Sequence, residues 1–357
     1  GGASAGIDLV TGGWHGAGLR IVTQGDGSIT MQTGYSNGSA VGDQRADIIL
    51  PVLQAAGGGI LIRAGSSSTV DLRGSSYNSG AGIDIEAGTV TGGVTFNAAD
   101  GTHIDGDYSA SSGTLTFNGA ASSISGRLTL AANLGGNSAL TLGDLLWQGG
   151  QMLSGATTTL TGSGLIDNSA AYRYLDRRLD VTGQLEFANS AGYDLYVRDG
   201  GQLNIRAGGS VGTASASGFL RLAASAGTAT FSAESGASLS LGDGSTFNLS
   251  SDNAAGNLIA GSFTTTGNGV LLLEAGRINT GADTTISGSG SLRLANSGVI
   301  GGSHVLTVGT LFDWRGGSMD GSGSTVLSGN GLIDNSSAYR YLQRTLRIDG
   351  RLTLDNP

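Results

Sequence analysis

Cysteine and lysine are absent from this 357-residue sequence, and proline occurs only twice. Without cysteine there are no disulfides, no thiol nucleophile and no cysteine-ligated zinc. Two prolines exclude a collagen-like chain and a proline-rich linker. Without lysine, all 18 basic residues are arginines, scattered rather than clustered, and the formal net charge is −9. Such a chain lacks the electrostatic footprint for nucleic acid or an anionic membrane, so neither is expected as a partner. Histidine is limited to His15, His103 and His304, too dispersed to suggest a metal centre or a Ser-His-Asp arrangement. Charged residues make up 13% of the chain, against a usual ~25%. No apolar run approaches the roughly 20 residues that a membrane-spanning helix needs. Glutamate appears only at Glu86, Glu186, Glu234 and Glu274. The remaining acids are aspartates, which favour turns where glutamate favours helix.

What is abundant is glycine, 66 of 357 residues, where an average protein has ~7%. The 38% of hydrophobic residues fall in short alternating runs, which excludes wholesale disorder. These runs recur. Ile60-Leu61-Ile62-Arg63-Ala64-Gly65 returns as Ile83-Asp84-Ile85-Glu86-Ala87-Gly88, and again from Leu203 and from Leu271. Val94-Thr95-Phe96-Asn97 returns as Leu115-Thr116-Phe117-Asn118. A strand of three to five residues, a Gly, Asn, Asp or Ser corner, and a period near twenty residues describe coils of a solenoid. One such strand buries only one face and leaves its edges unpaired. Stacking each coil on the last pairs every edge and joins the inward Ile, Leu, Val and Phe into one core. The reading is therefore all-β, a right-handed parallel β-helix, with Leu61 beside Asp84 and Phe96 beside Phe117. A β-sandwich is the competing fold, but it uses antiparallel hairpins and more proline and aromatic residues. Asp43–Leu53 has apolar residues three and four apart, as a short helix would, interrupted by Pro51; an excursion from the coil is expected there.

A second repeat overlies the coil. Trp147-Gln148-Gly149-Gly150-Gln151-Met152 recurs as Trp314-Arg315-Gly316-Gly317-Ser318-Met319, Gly164–Ser169 as Gly331–Ser336, and Ala171–Leu175 as Ala338–Leu342, all at an offset of 167. About half of the aligned positions are identical, and a rigid offset suggests duplication of whole coils. The resulting organisation is one continuous β-helix over 1–357: amino-terminal coils 1–143, a first long repeat 144–310, and the start of a second at 311–357. The chain begins Gly1-Gly2-Ala3 and stops at Pro357 inside a repeat, as a piece of a longer protein would.

With Trp-x-Gly-Gly-x-Met, a Gly/Ser/Thr run, Gly-Leu-Ile and a closing Leu-x-Val/Ile-x-Gly-x-Leu strand, the chain resembles the repeat regions of large secreted bacterial adhesins. These are filamentous-haemagglutinin-like exoproteins of two-partner secretion, biofilm-matrix adhesins among them, and autotransporter passengers. The texture covers the whole chain; the specific motif covers Trp147–Asn189 and Trp314–Asn356. The resemblance implies a right-handed β-helix, an outer-membrane transporter as secretion partner, and a location outside the cell or on its surface. It also implies a non-enzymatic role in attachment, aggregation or biofilm formation, with an extracellular polysaccharide or a host or bacterial cell surface as partner. The family's amino-terminal secretion domain is not evident, so the two-partner and autotransporter routes both stay open.

The alternative is a polysaccharide-degrading lyase or glycoside hydrolase, since such enzymes share the fold and fold alone does not decide function. Glycoside hydrolysis needs clustered carboxylates, and the candidates are Asp100, Asp105 and Asp107 around His103. The same oxygens could hold Ca²⁺, although the spacing of known calcium loops is missing; no other cofactor is expected. Repetition weighs against catalysis, because an active site needs one unique constellation. The candidate binding residues are Tyr172, Arg173 and Tyr174 with their copy Tyr339, Arg340 and Tyr341. Alternation does not bury both tyrosines and Leu175, so this segment is expected to leave the coil wall as a short loop. Exposed tyrosine beside arginine suits stacking on sugar rings; the competing reading is that these residues cover the solenoid edge or brace against Asp176. Trp147 and Trp314 read as core or corner packing. Thr157–Thr159 and Thr264–Thr266 are too isolated for an ice-binding ladder.

Overall fold

The computed structural model describes residues 7–10, 14–15, 20–23, 28–32, 35–36, 39–40, 48–49, 52–63, 69–72, 76–167, 171–188, 193–213, 217–223, 228–251, 257–334 and 339–355, with side chains at 28–31 and, within these ranges, from 53 onward. The fold is an all-β, right-handed parallel β-helix, and no helix occurs among the described residues. The chain divides into two compact units, Gly1–Ser163 and Gly164–Pro357.

In the first unit, Ile7–Val10 pairs in parallel with Ile29–Gln32, followed by Ile60–Arg63, Ile83–Thr91, Thr102–Ala110, Ser122–Leu130, Leu140–Trp147 and Thr158–Leu160. Alternation turns every second side chain inward. Register then places Met31, Ile62, Ile85, Ile104, Ile124, Leu142 and Leu160 in one buried row. Each such side chain contributes about 1.5–3 kcal/mol by leaving water. Another stack runs through Val52–Ala55, Ser76–Ser79, Thr95–Ala98, Thr114–Gly119, Asn133–Gly135 and Gln151–Met152. Inside it, the rings of Tyr77, Phe96 and Phe117 follow one another at 5.7 and 5.3 Å. Outside it, Asn118 donates to Asn97 at 2.8 Å and Asn97 to Asn78 at 2.7 Å. Both expected neighbours are present, Leu61 opposite Asp84 and Phe96 opposite Phe117.

The helix-like run is different. Ile48–Ile49 and Val52–Leu53 are strand; the rest of Asp43–Leu53 lies outside the described residues. Val52–Ala55 joins the stack in register with Ser76–Ser79, because Leu53 and Ala55 alternate inward as any coil strand requires. The stretch of chain from Ile29 to its partner Ile60 is longer than that from Ile60 to its partner Ile83. A short antiparallel pair, Tyr35–Ser36 with Ser39–Ala40, lies within it.

Corners bring backbone of successive coils into contact. Gly136 has φ 104°, and a Cβ there would sit 1.9 Å from the carbonyl oxygen of Phe117 in the coil before. Gly136→Ala is therefore expected to destabilise by about 2–3 kcal/mol, combining the left-handed backbone penalty with a clash that has no flexible partner to yield. Gly113, at φ 73°, has nothing nearer than 3.9 Å to such a Cβ, so Gly113→Ala should cost only about 1 kcal/mol. Urea unfolding followed by circular dichroism measures both, and equal losses would refute the role of the coil contact.

The second unit has three parallel stacks. The first holds Arg173–Leu175, Leu195–Val197, Gly218–Leu222, Thr246–Ser251, Val270–Leu273, Ser291–Leu294, Leu311–Trp314, Asn330–Asp334 and Arg351–Asp355. The second holds Arg178–Val181, Gln202–Ile205, Thr230–Ala233, the starts of Leu258–Thr266 and Arg277–Gly288, then Val299–Gly302, Gly317–Met319 and Arg340–Leu342. The third runs from Gln184–Ala188 through Ser210–Thr213 and Ser238–Leu241 to Leu306–Val308, Ser324–Leu327 and Thr345–Ile348. Phe187, Phe231, Phe247 and Phe263 meet between the stacks at centroid distances of 5.0–6.0 Å.

These stacks correct the expectation that the long repeat duplicates whole coils. Whole coils would return each copy to the same stack, yet Arg173–Leu175 lies in the first and Arg340–Leu342 in the second. The repeat advances by seven pairings along a stack and one further face. Unequal coils make this possible. The coil that carries Asp313 to Leu332 is short, and the one that carries Arg221 to Ser250 is half as long again. A fixed offset in sequence therefore need not close an integral number of turns.

Candidate functional site

The acidic run does not converge. Asp100 sits in an exposed turn, while His103, Asp105 and Asp107 lie on the strand Thr102–Ala110. His103 Nδ1 is 3.0 Å from Ser123 Oγ, Asp105 accepts from Ser125 Oγ at 2.8 Å, and Asp107 accepts from the Arg127 backbone N–H at 2.8 Å. Each partner belongs to the next coil, so these groups join coils rather than face one another. Among the described residues no three His, Asp or Glu side chains are placed to share a metal ion. His304 lies 3.7 Å from Asp283 at an exposed position, and the side chain of His15 lies outside the described residues.

Trp147 and Trp314 are buried, and each indole N–H donates to a carbonyl two residues on, Gly149 at 2.8 Å and Gly316 at 2.9 Å. One residue thus serves as core and corner at once. In each threonine run the middle residue turns inward: Thr158 and Thr265 are buried, while Thr264 and Thr266 are exposed.

The tyrosine segment stays in the wall. Arg173–Leu175 is a coil strand, paired residue for residue with Leu195–Val197. Alternation is kept by burying Arg173 and Leu175 and turning Tyr172 and Tyr174 outward. In the first stack Arg173 occupies the row otherwise filled by Leu195, Leu220, Leu249, Leu273 and Leu294. Only 2% of it is exposed. Its guanidinium is held by carbonyls, donating to Asp167 at 2.6 Å, Ala171 at 2.9 Å and Tyr172 at 3.1 Å. Burial lowers its pKa from the ordinary arginine value. Carbonyl hydrogen bonds of this kind offset part of the cost of stripping a charge of water. Arg173 is therefore internal and cannot reach a ligand on the surface. It does not brace against Asp176 either, which binds Arg198 through two hydrogen bonds of 2.8 and 2.6 Å.

Outside the wall, Tyr172 and Tyr174 join two residues that sequence pattern does not single out, Tyr193 and Tyr196. Tyr172 packs edge-on against Tyr193 at 5.1 Å and Tyr196 at 5.2 Å, and Tyr174 lies 5.5 Å from Tyr196. The Arg198 guanidinium sits 4.2 Å from the centre of the Tyr174 ring, and that of Arg221 5.4 Å from Tyr196. Arg221 is in turn bonded to Asp194. The one signal for this cluster is the coil period itself, since Tyr174 and Tyr196 are opposed one coil apart.

In the second copy Arg340 donates to the carbonyls of Trp314 and Arg315, both at 2.9 Å, with Tyr339 and Tyr341 exposed. Two further buried arginines share the offset, Arg177 and Arg344. Desolvation pushes the pKa of Arg177 down to about 10. Compared with known proteins, the chain matches no family model and no curated sequence.

Proposed function

We propose that this β-helix is a non-enzymatic structural and adhesive segment of a large extracellular bacterial adhesin. The observation that carries this reading is the disposition of the acidic side chains. Six of them brace coil to coil: Glu86 with Arg63, Asp176 with Arg198, Asp194 with Arg221, Glu234 with Arg206, Asp313 with Arg293, and Asp320 with Arg277. Individually such surface pairs are worth about 1 kcal/mol or less. Their effect is to occupy those six carboxylates, and Asp105 and Asp107 bond to the next coil as well, whereas acid–base chemistry requires carboxylates free and facing a common substrate. On this reading the chain reaches the cell surface through an outer-membrane transporter, uses no cofactor, and serves attachment, aggregation or biofilm formation through polysaccharide or cell surfaces.

The test combines attachment with turnover. Beads coated with the chain should retain bacterial cells or extracellular polysaccharide, and a panel of bacterial and plant glycans should yield no new reducing ends or unsaturated oligosaccharides. Turnover that disappears when one aspartate is replaced would establish the enzyme instead.

A further inference from the structure

We infer that Tyr172, Tyr174, Tyr193 and Tyr196 form a platform that binds an uncharged polysaccharide. The inference rests on the adhesive reading above and names the ligand class and the residues that meet it.

The chain has nine tyrosines. Tyr77 and Tyr108 are core residues, whereas these four gather on the outside of two adjacent coils. Tyr172 is 42% exposed and touches Tyr193 and Tyr196 at near right angles, 87° and 86°. The stack does not need aromatic residues in this position. Along the row that begins Tyr174, Tyr196, the next two coils place Arg221 and Ser250, with the same parallel pairing.

The rings are also held in place before any ligand arrives. Arg198 lies over Tyr174 and is fixed by two hydrogen bonds to Asp176; Arg221 lies near Tyr196 and is fixed by Asp194. Beneath them, Arg173 ties the strand to the carbonyls around it. Tyrosine loses little freedom when it is already packed, so binding has little ordering to offset.

The chemistry selects the ligand. A pyranose presents a C–H face that packs on an aromatic ring and hydroxyls that exchange hydrogen bonds with the phenols. Both neighbouring arginines are already neutralised by aspartates, so the patch carries no spare positive charge. An acidic sugar would have to compete with Asp176 and Asp194, and an uncharged one would not. Tyr339 and Tyr341 lie on a different stack, so a polymer lying along the first stack does not meet them. Among the described residues the platform is a single site.

Titration of the full chain with a soluble β-glucan, an α-glucan and a galactomannan, with polygalacturonate as the acidic comparison, tests this. At least one neutral polymer should bind and polygalacturonate should not. Tyr172→Ala should weaken binding roughly tenfold, the loss of one stacking contact, at a temperature where circular dichroism shows the variant fully folded. Tyr172→Phe keeps the ring but loses one phenol hydroxyl and should fall between the parent and Tyr172→Ala, whereas Tyr339→Ala should match the parent. Tyr193→Ala, on the second coil, should reproduce the loss. Binding of polygalacturonate alone, parental affinity in both alanine variants, or no neutral polymer bound while cells still attach, would overturn the platform and leave the adhesive reading standing. Failure of the parent in both the polymer and the cell assays would overturn both.

Discussion

Replacing Trp147 by alanine is expected to destabilise the first unit by about 3–5 kcal/mol, the range for emptying a large aromatic site in a packed core. Trp147 is fully buried and closes the strand Leu140–Trp147, opposite Leu130 of the preceding coil. Its removal opens a cavity and also deprives the Gly149 carbonyl of its indole donor. Trp147→Phe keeps most of the volume and loses the hydrogen bond, and should cost less than half as much. In a solenoid each coil leans on its neighbours only. Hydrogen exchange should therefore accelerate first in Ser122–Leu130 and Gln151–Met152, before the Ile29–Gln32 end of the unit. Urea unfolding gives the energy and exchange gives the location. A loss below about 1 kcal/mol, well under the cavity range, or uniform exchange through the unit, would contradict this account.

Arg344→Met should be similarly damaging, at about 3 kcal/mol or more, although it replaces a charged side chain by an apolar one of similar length. The Arg344 guanidinium is buried and donates to four carbonyls: His304 and Ser324 at 2.9 Å, Gly301 at 3.1 Å and Asp320 at 3.3 Å. Burial lowers its pKa, so the charge itself is held at a cost. The hydrogen bonds offset that cost, and removing them withdraws the guanidinium from four carbonyls, of which Gly301 and His304 still receive the Thr280 hydroxyl at 3.3 and 3.2 Å. Arg344→Lys should recover little, because an ammonium lacks the planar fork that spans carbonyls of successive coils. A neutral or stabilising Arg344→Met would mean that the carbonyls are satisfied without it. In that case the same substitution at Arg177, its counterpart in the first copy, should also be tolerated.

The architecture is legible in the amino-acid pattern. Alternation at Ile60–Arg63 and Ile83–Glu86, glycine corners and a period near twenty residues leave few ways to bury the apolar side chains. Stacking in parallel is the one that also pairs every strand edge, which is why Leu61 meets Asp84 and Phe96 meets Phe117. The same pattern locates Tyr172-Arg173-Tyr174 as a repeated feature. Its orientation is another matter. Pattern reading sends the segment out of the wall, because alternation does not bury both tyrosines and Leu175. The reverse arrangement holds, Arg173 inside a row of leucines and both tyrosines outside, because the guanidinium finds three carbonyls there. That choice depends on backbone oxygens brought together by folding, which no spacing of residue types records. The same is true of the face each copy occupies. Coils of unequal length, short at Asp313 to Leu332 and long at Arg221 to Ser250, add up in register only when the chain is wound. The repeated sequence therefore ends one face away from where it began. Which tyrosines stand together is settled by winding too, since a neighbour across a parallel stack is set by the accumulated length of every corner between.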